Sequence, residues 1–164
     1  MTSIVVVDSS VAIKWFVPEV YTPEALQLYS EWHARRIECA APDLLFVECA
    51  NILWKKRRQG TMSSADSAKH MQALVGLPFD VTPSRRLMTD ALQIAVLHDR
   101  TAYDSTYLAL ANALRCTLIT ADDRLANAVA PHFSNVIKLS DWKPSSPPDA
   151  SSTPRPPTST PPTP

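Results

Sequence analysis

The chain has 164 residues, 45% of them hydrophobic, and a formal net charge of zero at pH 7. That size and composition suit one domain with one core plus an extension, and the neutral balance excludes a global basic field that would draw nucleic acid unaided. Three scattered cysteines (Cys39, Cys49, Cys116) and four dispersed histidines (His33, His70, His98, His132) show no C-x-x-C pair and no zinc-ligand spacing, so reduced, mostly buried thiols are expected and a histidine-based metal site is not.

In chain order, Ile4-Val5-Val6-Val7 is a continuous apolar run, as in a strand buried on both faces. Asp8 follows at once, and the run is too short for the apolar core of a secretory signal. Residues 23–36 read as a helix, with Ala25, Leu26, Leu28, Tyr29 and Trp32 on one side. A strand is predicted over 37–40, then a helix over 44–58 that ends near Gly60. Ser63-Ser64-Ala65-Asp66 resembles a capping box, with Asp in place of Glu, and opens a helix toward Leu74. A strand over 79–82, helices over 84–97 and 104–114, a strand over 117–120, a helix over 123–129 and a strand over 136–138 complete the order. Such alternation predicts an α/β fold with a central, mainly parallel sheet of about five strands and helices on both faces. The folded domain is expected over residues 1–142. From residue 144 onward the chain holds only Pro, Ser, Thr, Ala, one Asp and one Arg, so residues 143–164 are expected to be a disordered tail with polyproline II character. No run approaches the roughly 20 apolar residues of a membrane span, and a soluble cytoplasmic protein is expected.

Four acids stand at distinctive places. Asp8 and Asp122 each follow a predicted strand, and ligands of open parallel sheets bind beyond the carboxyl ends of the strands. Asp104 opens a helix, and Glu48 interrupts the apolar stretch Leu44-Leu45-Phe46-Val47-Glu48-Cys49-Ala50-Asn51-Ile52-Leu53. Each has an ordinary explanation, since Asp8, Asp104 and Asp122 would serve as helix N-caps and Glu48 as a solvated helix residue. Spacing alone does not show that they meet. If they meet, repulsion of about 4 kcal/mol between carboxylates ~4 Å apart demands a cation. An all-oxygen donor set suits Mg²⁺ or Mn²⁺, which would orient a water for phosphodiester cleavage without a histidine base.

The series Val7-Asp8-Ser9-Ser10-Val11, Glu48-Cys49-Ala50-Asn51, Tyr103-Asp104-Ser105-Thr106-Tyr107-Leu108-Ala109-Leu110-Ala111 and Leu118-Ile119-Thr120-Ala121-Asp122 resembles the PIN domain, and within it the VapC-type toxins of type II toxin–antitoxin pairs. The resemblance spans residues 4–142 in the family's order. It implies a three-layer α/β/α PIN-like domain and an Mg²⁺- or Mn²⁺-dependent endoribonuclease that leaves a 5′-phosphate. It assigns Asp8, Glu48, Asp104 and Asp122 as metal-binding, catalytic acids, with Ser9, Asn51 and Thr120 as polar neighbours. Asp123 would assist or replace Asp122. It further implies an RNA substrate such as tRNA or rRNA, a homodimer, and a VapB-like antitoxin covering the acidic site. The proline-rich tail departs from the compact family pattern.

Lys55 falls near the helix face of Glu48 and Asn51 and is a candidate RNA-phosphate contact, against the plain reading of a cationic helix end. Trp15, Phe16, Trp32 and Trp54 would stack on bases or pack in a core or partner interface. Two other functions compete with the nuclease. One is a non-catalytic PIN-like module that binds RNA or protein. The other is a phosphotransfer domain with an aspartyl nucleophile, which the missing D-x-D pattern disfavours because Ser10 stands where the second Asp belongs.

Overall fold

The computed structural model describes residues 3–144. The predicted tail therefore lies outside the described residues from 145 onward. Five strands, β1 (Ser3–Val7), β2 (Ile37–Pro42), β3 (Asp80–Thr82), β4 (Thr117–Thr120) and β5 (Val136–Lys138), form one sheet in the order β3-β2-β1-β4-β5. Every pairing is parallel. Among the described residues seven α-helices connect them: α1 (Ser9–Ala12), α2 (Thr22–His33), α3 (Leu44–Arg58), α4 (Ser64–Val75), α5 (Met88–His98), α6 (Ala102–Leu114) and α7 (Asp123–Val129).

Helices cover both faces of the sheet, as its burial requires. Consecutive strand residues point to opposite faces, yet Val5, Val6 and Val7 are all buried, as are Leu118, Ile119 and Thr120. The unbroken apolar runs in the sequence are the imprint of that two-sided cover, and the three-layer α/β expectation holds.

The strand order places the site. The chain steps outward from β1 through β2 to β3, then returns through α5 and α6 to insert β4 on the other side of β1. The order reverses between β1 and β4, the topological switch point where doubly wound sheets open a crevice.

Several boundaries differ from the sequence pattern, each for a local reason. The second helix ends at His33 rather than residue 36, because Arg35 takes a left-handed backbone with φ of 57°. The predicted helix over 84–97 splits into a 3-10 turn, Ser84–Arg86, and α5. Its break sits where Asp43 accepts from the Ser84 amide at 2.8 Å. The helix expected from Asp104 begins at Ala102, with Thr101 as its N-cap. Trp15, Tyr29, Trp32 and Phe79 form an aromatic cluster with ring centroids 4.7 Å apart for Trp32–Phe79 and 5.4 Å for Trp15–Tyr29. Trp15 also donates to the Ala25 carbonyl at 2.9 Å. Packing therefore accounts for Trp15 and Trp32. Trp54 is exposed, under the Arg58 guanidinium.

Candidate metal centre

The register of the central strands builds the site from its floor. Val7 pairs with Ile119, so the next step of the ladder sets Asp8 beside Thr120. Thr120 is fully buried, and its hydroxyl donates to Asp8 Oδ2. Asp8 also caps α1: Oδ1 accepts from the Val11 amide at 3.1 Å and from Ser10 Oγ at 2.5 Å. Burial pushes the Asp8 carboxyl up to about 6; these hydrogen bonds pull the other way, and the nearby charge of Glu48 adds to the rise. Among the described residues, ion pairs link Lys14 and Lys56 to Glu19 and Arg36 to Glu31, and none reaches Asp8.

Glu48 stands in the second turn of α3, half-buried, and its Oε2 accepts from the Tyr107 hydroxyl at 2.5 Å. Tyr107 is buried on α6; desolvation and the Glu48 charge hold its phenol well above its ordinary range, so it acts as a donor. Three residues earlier on the same helix face stands Asp104. Its backbone amide donates to Thr101 Oγ1 at 3.1 Å, so Thr101 does the capping and the Asp104 carboxylate is not the cap. Partial burial raises the Asp104 carboxyl, and the charge of Asp122 raises it further, while Thr101 and Arg100 oppose the rise.

Asp122 is the N-cap of α7, with Oδ1 accepting from the Arg124 amide at 2.9 Å and the Leu125 amide at 3.1 Å. Its own amide donates to Thr120 Oγ1 at 3.0 Å. Thr120 thus joins Asp8 to the Asp122 turn. Asp123 accepts from the Tyr21 hydroxyl at 2.9 Å. The cap reading is therefore correct for Asp8 and Asp122, one oxygen each, and incorrect for Asp104.

The acids stand in two electrostatically coupled pairs, Asp8 with Glu48 and Asp104 with Asp122. Tyr107 and α6 link one pair to the other. Among the described residues no three His, Cys, Asp or Glu side chains form a ready coordination cage. The donor chemistry still fits a hard divalent cation: all-oxygen ligands, a buried acid with no neutralising base, and mutual repulsion that a cation would relieve.

The expected neighbours divide. Thr120 is at the centre. Ser10, not Ser9, supplies the hydroxyl to Asp8, and it also accepts from the Ala121 amide at 2.9 Å. Ser9 contributes its carbonyl to the Cys49 thiol at 4.0 Å. Asn51 is exposed one turn beyond Glu48, and Lys55 is exposed one turn further. Sequence reasoning gave no site role to Tyr107, Ser10 or Tyr21. For Tyr107 a signal existed, its i+3 spacing from Asp104; for Tyr21 none did, because its partner lies 102 residues away.

A PIN domain pattern matches residues 5–130. The chain belongs to the PIN-domain family. A relative from Pyrobaculum aerophilum, Ribonuclease VapC3, is 31% identical over 123 residues, covering 74% of this chain and 91% of the relative. Ribonuclease VapC9 of Mycobacterium tuberculosis is also 31% identical, over 75% of this chain and 89% of its own length. Among solved PIN-like structures, PAE2754 from Pyrobaculum aerophilum superposes with a TM-score of 0.63 at 25% identity, over 85% of this chain and 93% of that one. A toxin–antitoxin complex from Klebsiella pneumoniae shares the fold at a TM-score of 0.58 and 16% identity, over 82% of this chain and 97% of that one. These PIN-domain relatives bear out the resemblance read from the four motifs.

Proposed function

We propose that this PIN-domain protein is an endoribonuclease toxin that hydrolyses RNA phosphodiester bonds with Mg²⁺ or Mn²⁺ held by Asp8, Glu48, Asp104 and Asp122. The observation that carries the proposal is Asp8: a buried carboxylate at the strand-order switch point, hydrogen-bonded on both oxygens and, among the described residues, without an ion-pair partner. The names of the two VapC relatives supply the reaction class.

In this reading, Thr120 and Ser10 fix the Asp8 oxygens, and Tyr107 orients Glu48. The half-buried Glu48 and Asp104 and the exposed Asp122 are the side chains with freedom to close around an ion. When bound, the divalent ion supplies water activation and stabilises the leaving oxygen. Ser9, Asn51 and Asp123 flank this set, and Lys55 faces solvent where an RNA phosphate would pass.

The test is cleavage of tRNA and rRNA by the purified chain. Cleavage is expected with Mg²⁺ or Mn²⁺ and lost in Asp8→Asn, in Asp104→Asn and in excess EDTA. Full activity in EDTA, or in both variants, would overturn the proposal. One observation favours the alternative, a non-catalytic RNA- or protein-binding module: the described acids do not form a cage. Such a module would bind RNA equally with and without metal and never shorten it.

A VapB-like antitoxin is the proposed partner, a reading supported by the structural likeness to the Klebsiella toxin–antitoxin complex. The surface between α3 and α4, where Leu53, exposed Trp54 and Met71 meet, suits an amphipathic segment. A homodimer is proposed through α5, whose Met88, Leu92 and Val96 recur every four residues and are exposed by 40%, 61% and 77%. Among the described residues no helix is long and apolar enough to cross a membrane, and a cytoplasmic location is proposed.

A further inference from the structure

The segment that joins the 3-10 turn Ile13–Trp15 to α2 is pinned to α3 and to α7, the helices associated with the candidate acids Glu48 and Asp122. At one end Glu19 accepts from Lys14 Nζ at 2.9 Å and from Lys56 Nζ at 2.6 Å. Lys56 belongs to α3, the helix of Glu48. At the other end the Tyr21 hydroxyl donates to Asp123 Oδ2 at 2.9 Å, on the first residue of α7. The Glu19 amide also donates to Thr22 Oγ1 at 2.8 Å, at the start of α2, and Tyr21 itself lies in the left-handed region with φ of 69°. That conformation is costly for a bulky aromatic residue and persists only where the surroundings fix it. The Tyr21 ring packs on the core, so its hydroxyl is delivered to Asp123 from a fixed base.

Asp122 and Asp123 are adjacent acids at one helix start, and the sequence does not distinguish them. The hydrogen bonds do. Asp122 spends Oδ1 on the helix amides, and its charge is felt by Asp104. Asp123 is held by Tyr21, on the side of α2. We propose that Tyr21 is a positioning residue whose hydroxyl fastens the first turn of α7 through Asp123, leaving Asp122 as the acid that completes the cation site. This rests on the metal-site reading given above. Without the fastening, the turn samples arrangements in which Asp122 is misplaced, and the apparent cation affinity falls by the lost fraction of competent molecules.

The experiment is calorimetric titration of the full chain with Mn²⁺, alongside thermal melting. Tyr21→Phe keeps the packed ring and removes only the donor. It is expected to weaken Mn²⁺ binding on the order of fivefold. Asp123→Asn should weaken it in the same direction, and the double variant should bind no worse than Tyr21→Phe alone, because both changes cut one link. Mn²⁺ affinities within twofold of wild type, or singles whose effects multiply in the double, would overturn the proposal while leaving the metal site standing. A wild type that binds no Mn²⁺, or Asp8→Asn binding as well as wild type, would remove both. A lower melting temperature with unchanged Mn²⁺ affinity would make Tyr21 a structural residue only and also overturn the proposal.

Discussion

A carboxylate stripped of water is either protonated, paired with a cation or supplied with hydrogen bonds. Asp8 has the last, from Ser10, Thr120 and the Val11 amide, and these do not fully offset its burial, because its carboxyl still sits up at about 6. A folded-state pKa above the usual 3.8 means that the folded protein holds the Asp8 proton more tightly than the unfolded chain. The associated stability is complete below about pH 4 and is lost as pH rises through about 6. Without divalent ions, wild type should therefore lose up to about 3 kcal/mol between pH 4 and pH 7 relative to Asp8→Asn. Urea unfolding of both proteins across that range checks this, and parallel pH curves would contradict it. Thr120→Val removes a donor from the same buried anion while keeping the side-chain shape. It should destabilise the protein by about 1.5–3 kcal/mol at pH 7 and by clearly less at pH 4, where Asp8 is neutral.

At the scale of elements, α6 shows what is legible and what is not. Its apolar run and its motif announce a helix, and the sequence places Asp104 at its start. The cap is nevertheless Thr101, three residues earlier, which frees the Asp104 carboxylate. Thr101→Ala should cost about 1 kcal/mol in denaturant unfolding, the ordinary value of a lost N-cap. Tyr107→Phe should change stability little, because it removes a donor and leaves the half-buried Glu48 oxygen open to water, but it should lower cleavage by about tenfold as Glu48 loses its orientation. β1 and β4 are legible because burial on both faces leaves an unbroken apolar signature, and β4 begins and ends where the pattern predicts, at Thr117 and Thr120. The break at Ser84–Arg86 was hidden because its cause, Asp43, lies 41 residues away. The same holds for the site. Asp8 and Thr120 are 112 positions apart and meet only through strand register, and Glu48 and Tyr107, 59 apart, meet only through helix packing. Motif order picks out the candidate acids; only topology shows which groups they meet.

For the whole molecule, zero net charge sits beside a proposed polyanionic substrate. A neutral chain has no long-range field to steer RNA, so attraction has to come from a local cation patch and from whatever neutralises the four acids. The patch is the end of α3, where Lys55, Arg57 and Arg58 are exposed while Lys56 is held by Glu19. Each phosphate contact there releases counterions and steepens the fall of affinity with salt. Lys55→Ala should therefore weaken RNA binding similarly for all sequences and reduce the salt slope by about one. Binding measured by fluorescence anisotropy between low and physiological salt, in Asp8→Asn to prevent cleavage, reads both quantities. An unchanged slope would return Lys55 to the solvated helix end. The proposed divalent ion would add a second dependence. Where it occupies the acids, it removes repulsion toward the phosphate, so wild type should gain RNA affinity on Mg²⁺ addition at fixed ionic strength, and Asp8→Asn should gain little.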